Sequence, residues 1–311
     1  MGNLIDVILP VFLVIGFGYA AAWKGFFSEI AIDGLMRFAT NFAIPCLLFL
    51  AISTIDLAGD FNIPLLASFY IGAFSAYGLG YLGARYLFAR SIQDSISIGF
   101  CSLFSNTVLL GLPIVERAFG PESLSGAYAI VSVHALVIYG FGVTMMEIAR
   151  ARKSGTGKGL IANISRAMST NPILIGILLG FLVNISKVDL PDALLAAIGT
   201  MSTAALPAAL FALGGVLVRY RPEGDKNTIA WVTVVSLVAH PAITYSLGKW
   251  VFMLDQAQFR AAVLTAAMAP GINAYLFATM YGAAKRVAAS TVLIATTLSI
   301  LSIWLWLALL S

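Results

Sequence analysis

Apolar positions along the chain come in long runs, parted by short polar or charged pieces such as KGFFSE, STIDLAGDFN and RPEGDKN. A membrane-spanning helix needs about 20 mostly apolar residues. Ten runs reach that scale: 4–23, 31–53, 63–88, 93–118, 124–149, 168–185, 192–217, 229–251, 257–281 and 286–309. The pattern predicts an all-α integral membrane protein with ten transmembrane helices and no soluble domain. The opening MGNLIDVILP lacks a basic n-region and carries Asp6, so the first run is expected to stay as a helix and not to be a cleaved signal.

Composition agrees with the pattern. Of 311 residues, 60% are hydrophobic and only 10% charged, against about 45–50% and 25% in soluble domains. The chain is expected in the cell (inner or plasma) membrane as a multi-pass protein. A formal charge of +4 says little about nucleic acid, and no nucleic-acid partner is expected. The placement of Lys and Arg says more: thirteen fall in the loops of one side and four (Arg117, Lys187, Lys249, Arg260) on the other, with Arg37 inside the second span. Basic loops stay cytoplasmic, so both termini are expected outside. Cys46 and Cys101 lie in apolar runs with no nearby partner and read as small buried residues, not as a disulfide or metal site. The five Trp residues fall near span ends, as interfacial anchors do.

Shifting the chain by 162 residues superposes Pro10 on Pro172, Gly18 on Gly180, Pro45 on Pro207, Phe49 on Phe211 and Gly120 on Gly282. This predicts two five-helix repeats, residues 1–150 and 168–311, joined by a basic cytoplasmic loop at 151–167. An odd number of spans per repeat makes the second half enter the membrane inverted. Inverted repeats are characteristic of transporters, with the site near the midplane.

Spans four and nine carry helix breakers at equivalent places. Span four holds Asn106, Gly111 and Pro113; span nine holds Pro270, Gly271 and Asn273. Proline removes a donor and clashes with the preceding turn. Unpaired backbone survives in a membrane only inside protein or along a wet cavity. Each break can start a half-helix whose N–H groups and positive dipole end face the membrane centre. Two such ends would hold an anion without a buried Lys or Arg, and Asn106 and Asn273 could donate to a carboxylate. Thr107, Tyr275 and Asn41 complete the candidate binding set; Thr40 and Asn41 either face the path or simply pack. His134 and His240 are expected to be buried, hydrogen-bonded histidines before they are proton relays. No Asp or Glu sits at mid-depth of any span.

The segments NTVLLGLPIVERAFG (106–120), FAIPCLLF (42–49), APGINAYLFATMYG (269–282) and VILPVFLVIGFGYAAAWKGFF (7–27) resemble the auxin efflux carrier family. That family includes the plant PIN carriers and bacterial transporters of malonate or auxin type, and the compact chain looks bacterial. The resemblance implies ten helices in inverted repeats, crossing broken helices at spans four and nine, and elevator-type alternating access. It implies a scaffold of spans one, two, six and seven that supports a homodimer. Asn106 and Pro113 fall on the family's crossover positions. The plant carriers have a proline where this chain has Ala274, and their long hydrophilic loop is missing here, so neither plant-like selectivity nor loop phosphorylation carries over.

The function expected is secondary transport of small organic anions such as malonate-like or auxin-like carboxylates. Sodium or proton coupling stays open, and a fixed-pore anion channel is the alternative. No cofactor or metal is expected, and no enzymatic motif such as HExxH is present.

Overall fold

The computed structural model describes residues 4–57, 61–154, 170–220 and 225–310. Lys158, Arg166 and Arg221, counted in the charge balance, lie outside the described residues, as does most of the expected basic loop. The described chain is helical: α1 (Leu4–Trp23), α2 (Glu29–Thr54), α3 (Ile63–Leu87), α4 (Ile92–Leu103), α5 (107–119), α6 (Leu124–Ser154), α7 (Pro172–Ser186), α8 (Asp192–Leu217), α9 (Lys226–Val251), α10 (Gln256–Ala266), α11 (Ile272–Tyr281) and α12 (Lys285–Leu310). Seven of these, α1, α2, α3, α6, α8, α9 and α12, are long and apolar enough to cross a membrane, and α7 is a shorter apolar helix. Expected spans four and nine are each divided in two, as α4 with α5 and α10 with α11.

Polar residues at the links act as helix caps. Side-chain oxygens of Ser28, Ser91, Asn171, Asp225 and Asp255 accept N–H bonds from the first turns of α2, α4, α7, α9 and α10, satisfying donors the helix leaves unpaired. Three prolines inside the helices follow one rule. The turns Ala39–Ala43, Thr107–Gly111 and Val235–Ala239 are π-type and stand directly before Pro45, Pro113 and Pro241. In each, the residue before proline reaches back five positions: Ile44 to Ala39, Leu112 to Thr107, His240 to Val235. The widened turn relieves the clash between the proline ring and the carbonyl four residues back. Side chains supply donors that two prolines lack. The Trp306 indole donates to Leu237 (3.0 Å), four residues before Pro241, and Arg117 donates to Asp6 (2.9 Å), four before Pro10. Trp231 similarly donates to the Leu79 carbonyl (3.1 Å). Trp231 and Trp306 are therefore helix-to-helix ties as well as residues near span ends. Cys101 is buried, whereas Cys46 is only half-buried; both are free thiols.

The links α3–α4 and α9–α10 have the same local construction. Phe88 donates to Gly83 and Arg90 to Ala84; Phe252 donates to Leu247 and Leu254 to Gly248. Ala89 and Met253 both take positive φ, 48° and 46°. Two apolar clusters fill the interior. One gathers α1, α2, α7 and α8 against α5 and α10; the other packs α3, α4 and α6 against α11.

Arg90 in the first link reaches Asp225 at the start of α9 (3.0 Å). The Thr228 hydroxyl, then the Asn227 N–H and Arg90, hold the Asp225 carboxyl below its usual range while burial acts the other way. A depressed carboxyl contributes stability above the unfolded value of about 3.9 and loses it as pH falls through the folded value. The melting difference between wild type and Asp225→Asn is therefore expected to shrink as pH is lowered from 5 to 3, by about a degree or two given the exposed position.

Candidate functional site

Two breaks that lie far apart in sequence meet. The helix leaves its course after α4 at Phe104–Asn106, and after α10 at Ala267–Gly271. Ser105 pairs with Pro270 in an antiparallel bridge: the Asn106 N–H donates to Ala269 (2.9 Å) and the Gly271 N–H to Phe104 (3.1 Å). Proline fits there because the bonds come from the flanking residues, so its missing N–H is not needed. These bonds pay for backbone that would otherwise be orphaned.

The helices that follow begin at this pairing. The Asn106 side chain accepts from the Leu109 N–H (3.2 Å), capping α5. Gly271 precedes the first turn of α11, and a methyl there would lie 3.5 Å from Asn106. The two capping positions are thus in contact. A stacked pair, Phe100 on Phe277 at 3.9 Å, joins α4 to α11 beside them.

Both starts open on a cavity of about 710 Å³, within the range of about 300–1,000 Å³ usual for small-molecule sites. Of the expected site residues, Asn41, Asn106, Thr107, Gly271, Asn273 and Tyr275 line it; Gly111, Pro113 and Pro270 do not. The sequence places the span-four interruption at Asn106, Gly111 and Pro113; the π turn absorbs Pro113, and the chain leaves the helix at 104–106, at the Asn106 end. Gly111 is packed toward Thr265 and Met268, with room for a methyl group at 3.6 Å or more, and Pro113 is buried in α5.

Helix α2 gives the cavity one whole face: Asp33, Met36, Arg37, Thr40, Asn41 and Ile44 recur at helical spacing. Thr40 and Asn41 therefore face the cavity, and Arg37 does too. Asp33, Arg219, Tyr220 and Asn171 also line the cavity and were not among the residues expected. The polar stripe at 33, 37, 40 and 41 in an otherwise apolar span is the signal that could have found this face. Arg219 is held by Asp33 (2.9 Å) and by the Glu29 carbonyl (2.9 Å). Tyr220 of the α8 end packs on Tyr275 of α11, rings 4.8 Å apart. The cavity is cationic near the ends of α2 and α8 and amide-rich at the break.

The histidines depart from expectation. His134 lines the cavity at 3% exposure, His240 is fully buried, and none of their four ring nitrogens has a hydrogen-bond partner. His134 lies edge-on to Phe104 (5.1 Å), and both imidazoles flank Phe69 (5.6 and 5.4 Å).

Comparisons with known proteins give the family. The chain is 24% identical to a "Putative malonate transporter" of Rhizobium meliloti over 97% of this chain and 94% of that protein. It is 25% identical to an "Uncharacterized transporter" of Methanocaldococcus jannaschii over 97% of each. It is 21% identical to "Auxin efflux carrier component 5" of Arabidopsis thaliana over 90% of this chain and 89% of that one. Residues 4–307 match the family model described as membrane transport protein. A multi-pass membrane chain whose broken helices meet at a cavity, and which matches that model along nearly its whole length, belongs to the membrane transport protein family of auxin efflux carriers.

Proposed function

We propose that the chain carries small organic anions, malonate-like or auxin-like carboxylates, across the membrane by elevator-type alternating access. One observation carries the substrate class. Two helix starts are tied together by main-chain hydrogen bonds on the wall of a cavity that also presents Asn41, Asn106, Thr107 and Asn273. First-turn N–H groups lack intrahelical acceptors and the N-terminal dipole is positive, so such ends suit a carboxylate. The relative named for malonate is similar over nearly the full length.

Ten passes in two inverted repeats account for the divided spans and the short α7. Several correspondences support the repeat. Gly18 packs on the Phe211 carbonyl, while Gly180 packs on the Phe49 carbonyl, its equivalent pair under the same shift. The α3–α4 and α9–α10 links are capped alike. Gly120 and Gly282 both take positive φ, 81° and 71°. In this scheme α1, α2, α7 and α8 form the scaffold, on which a homodimer forms, and the rest moves. With both termini outside, the cavity opens to the cytoplasm, where α2 begins and α8 ends. Gly111, Pro113 and Pro270 act by shaping the backbone and do not touch the anion.

The test is labelled malonate in liposomes containing the purified chain. Saturable uptake is expected, accelerated by malonate on the opposite side and competed by other carboxylates but not by amines. Absence of any carboxylate transport would sink the carrier reading. Currents without counterflow would replace it with a fixed pore.

A further inference from the structure

We propose that His134 binds a proton together with the transported carboxylate, so that the chain is an anion–proton symporter; this rests on the carboxylate reading above. His134 forms part of the cavity wall, is 97% buried, and leaves both ring nitrogens without a hydrogen bond. A buried polar group without a partner is costly, so an imidazole kept in this state points to a partner that comes and goes.

The neighbours do not supply that partner. From α3, Phe69 and Tyr70 face the ring (5.6 and 6.1 Å), and the Tyr70 hydroxyl is already given to the Ile130 carbonyl (3.0 Å). From the end of α4 comes Phe104. From α9 comes His240, which flanks the same Phe69 ring (5.4 Å). Neither ring nitrogen of His240 has a hydrogen-bond partner. The titratable or charged residues that line the cavity with His134 are Tyr139, Tyr220, Tyr275, Arg37, Arg219 and Asp33. Asp33, the only acidic residue among the described lining residues, is taken by Arg219.

The consequence is electrostatic. An imidazolium at His134 in the empty cavity would be a desolvated cation with other cations in the same cavity. A carboxylate at the helix starts supplies the missing counter-charge and favours the protonated ring. By linkage, the proton then raises anion affinity by the same factor that the anion raises proton affinity. The proton enters on a ring nitrogen as the anion binds, and leaves to the other side as the anion departs.

Proteoliposomes loaded with a pH-sensitive dye, with the membrane potential clamped, test this using malonate above pH 7, where its dianion does not leak. Wild type is expected to move about one proton per malonate and to bind malonate up to about tenfold more tightly per unit fall in pH. In His134→Gln the proton ratio is expected to fall toward zero and the pH slope to flatten. Malonate movement without protons in wild type, or a variant that keeps the wild-type ratio, overturns the inference and leaves the carrier intact. If the variant fails to insert, the wild-type ratio decides alone. Absence of transport of any carboxylate overturns both.

Discussion

Asn106→Ala is expected to weaken malonate binding by roughly 10²–10³-fold, the largest effect of any single side chain at the site. Two losses combine. The Asn106 oxygen caps α5 through the Leu109 N–H, and removing a cap costs about 1 kcal/mol. Its amide nitrogen is the proposed donor to the carboxylate, and a hydrogen bond to a charged group contributes about 1.5–3 kcal/mol. Each 1.4 kcal/mol is about tenfold in affinity. Conservative variants separate the two. Asn106→Ser keeps a capping oxygen, so it recovers the first loss only. Asn106→Asp also keeps the cap but places a negative charge 6% exposed on the cavity wall, and its malonate binding is expected to vanish. Titration calorimetry on purified protein reads all three. An unchanged affinity in Asn106→Ala would remove Asn106 from the anion's contacts.

Gly18→Ala should be among the most damaging single methyl additions, together with Gly214→Ala on the same helix contact. On α1, a methyl at Gly18 would overlap the Phe211 carbonyl oxygen of α8. A backbone atom cannot rotate aside, so the helices must separate along a packed contact. Close helix approach through small residues is what holds membrane helices together, and overpacking costs on the order of 3 kcal/mol. At roughly 2–4 °C per kcal/mol, melting should fall by about 6–12 °C. Gly16→Ala, two residues away with nothing within 4 Å, is the control and should stay within about 0.5 kcal/mol. Gly180→Ala, whose methyl would lie 2.9 Å from the Phe49 carbonyl oxygen, should fall between them. Melting in detergent, followed by the fraction eluting as a single species, ranks the three. Equal melting of Gly18→Ala and Gly16→Ala would mean that α1 and α8 do not pack closely.

The positions of the seven long apolar helices were legible, because lipid demands length and apolarity and both are local. The run 192–217 coincides with α8, and 63–88 ends one residue past α3. Of the three residues expected to interrupt span four, only Asn106 lies at the break, for a physical reason. Proline and glycine announce trouble in the hydrogen-bond ladder, but a π turn resolves that trouble around Pro113. The actual break depends on Ala269 and Gly271, more than 160 residues away, which no local rule can see. Cavity-lining residues were legible where chemistry stood out against lipid, as at Asn106, Asn273 and Asn41. They were not legible at Arg219, Tyr220 or Asn171, which lie at helix ends, where polar residues are ordinary and only folding brings them to one cavity. Ring partners for the histidines could not be read either, since an unpaired nitrogen is a property of the surroundings.

The Ser105–Pro270 pairing bears on how such a carrier can change its cargo. Its hydrogen bonds come only from main-chain atoms of Phe104, Asn106, Ala269 and Gly271. The crossing is therefore largely indifferent to the side chains mounted on it. Side chains beside it, such as Asn273 and Ala274, can be exchanged without any need to invent the junction again.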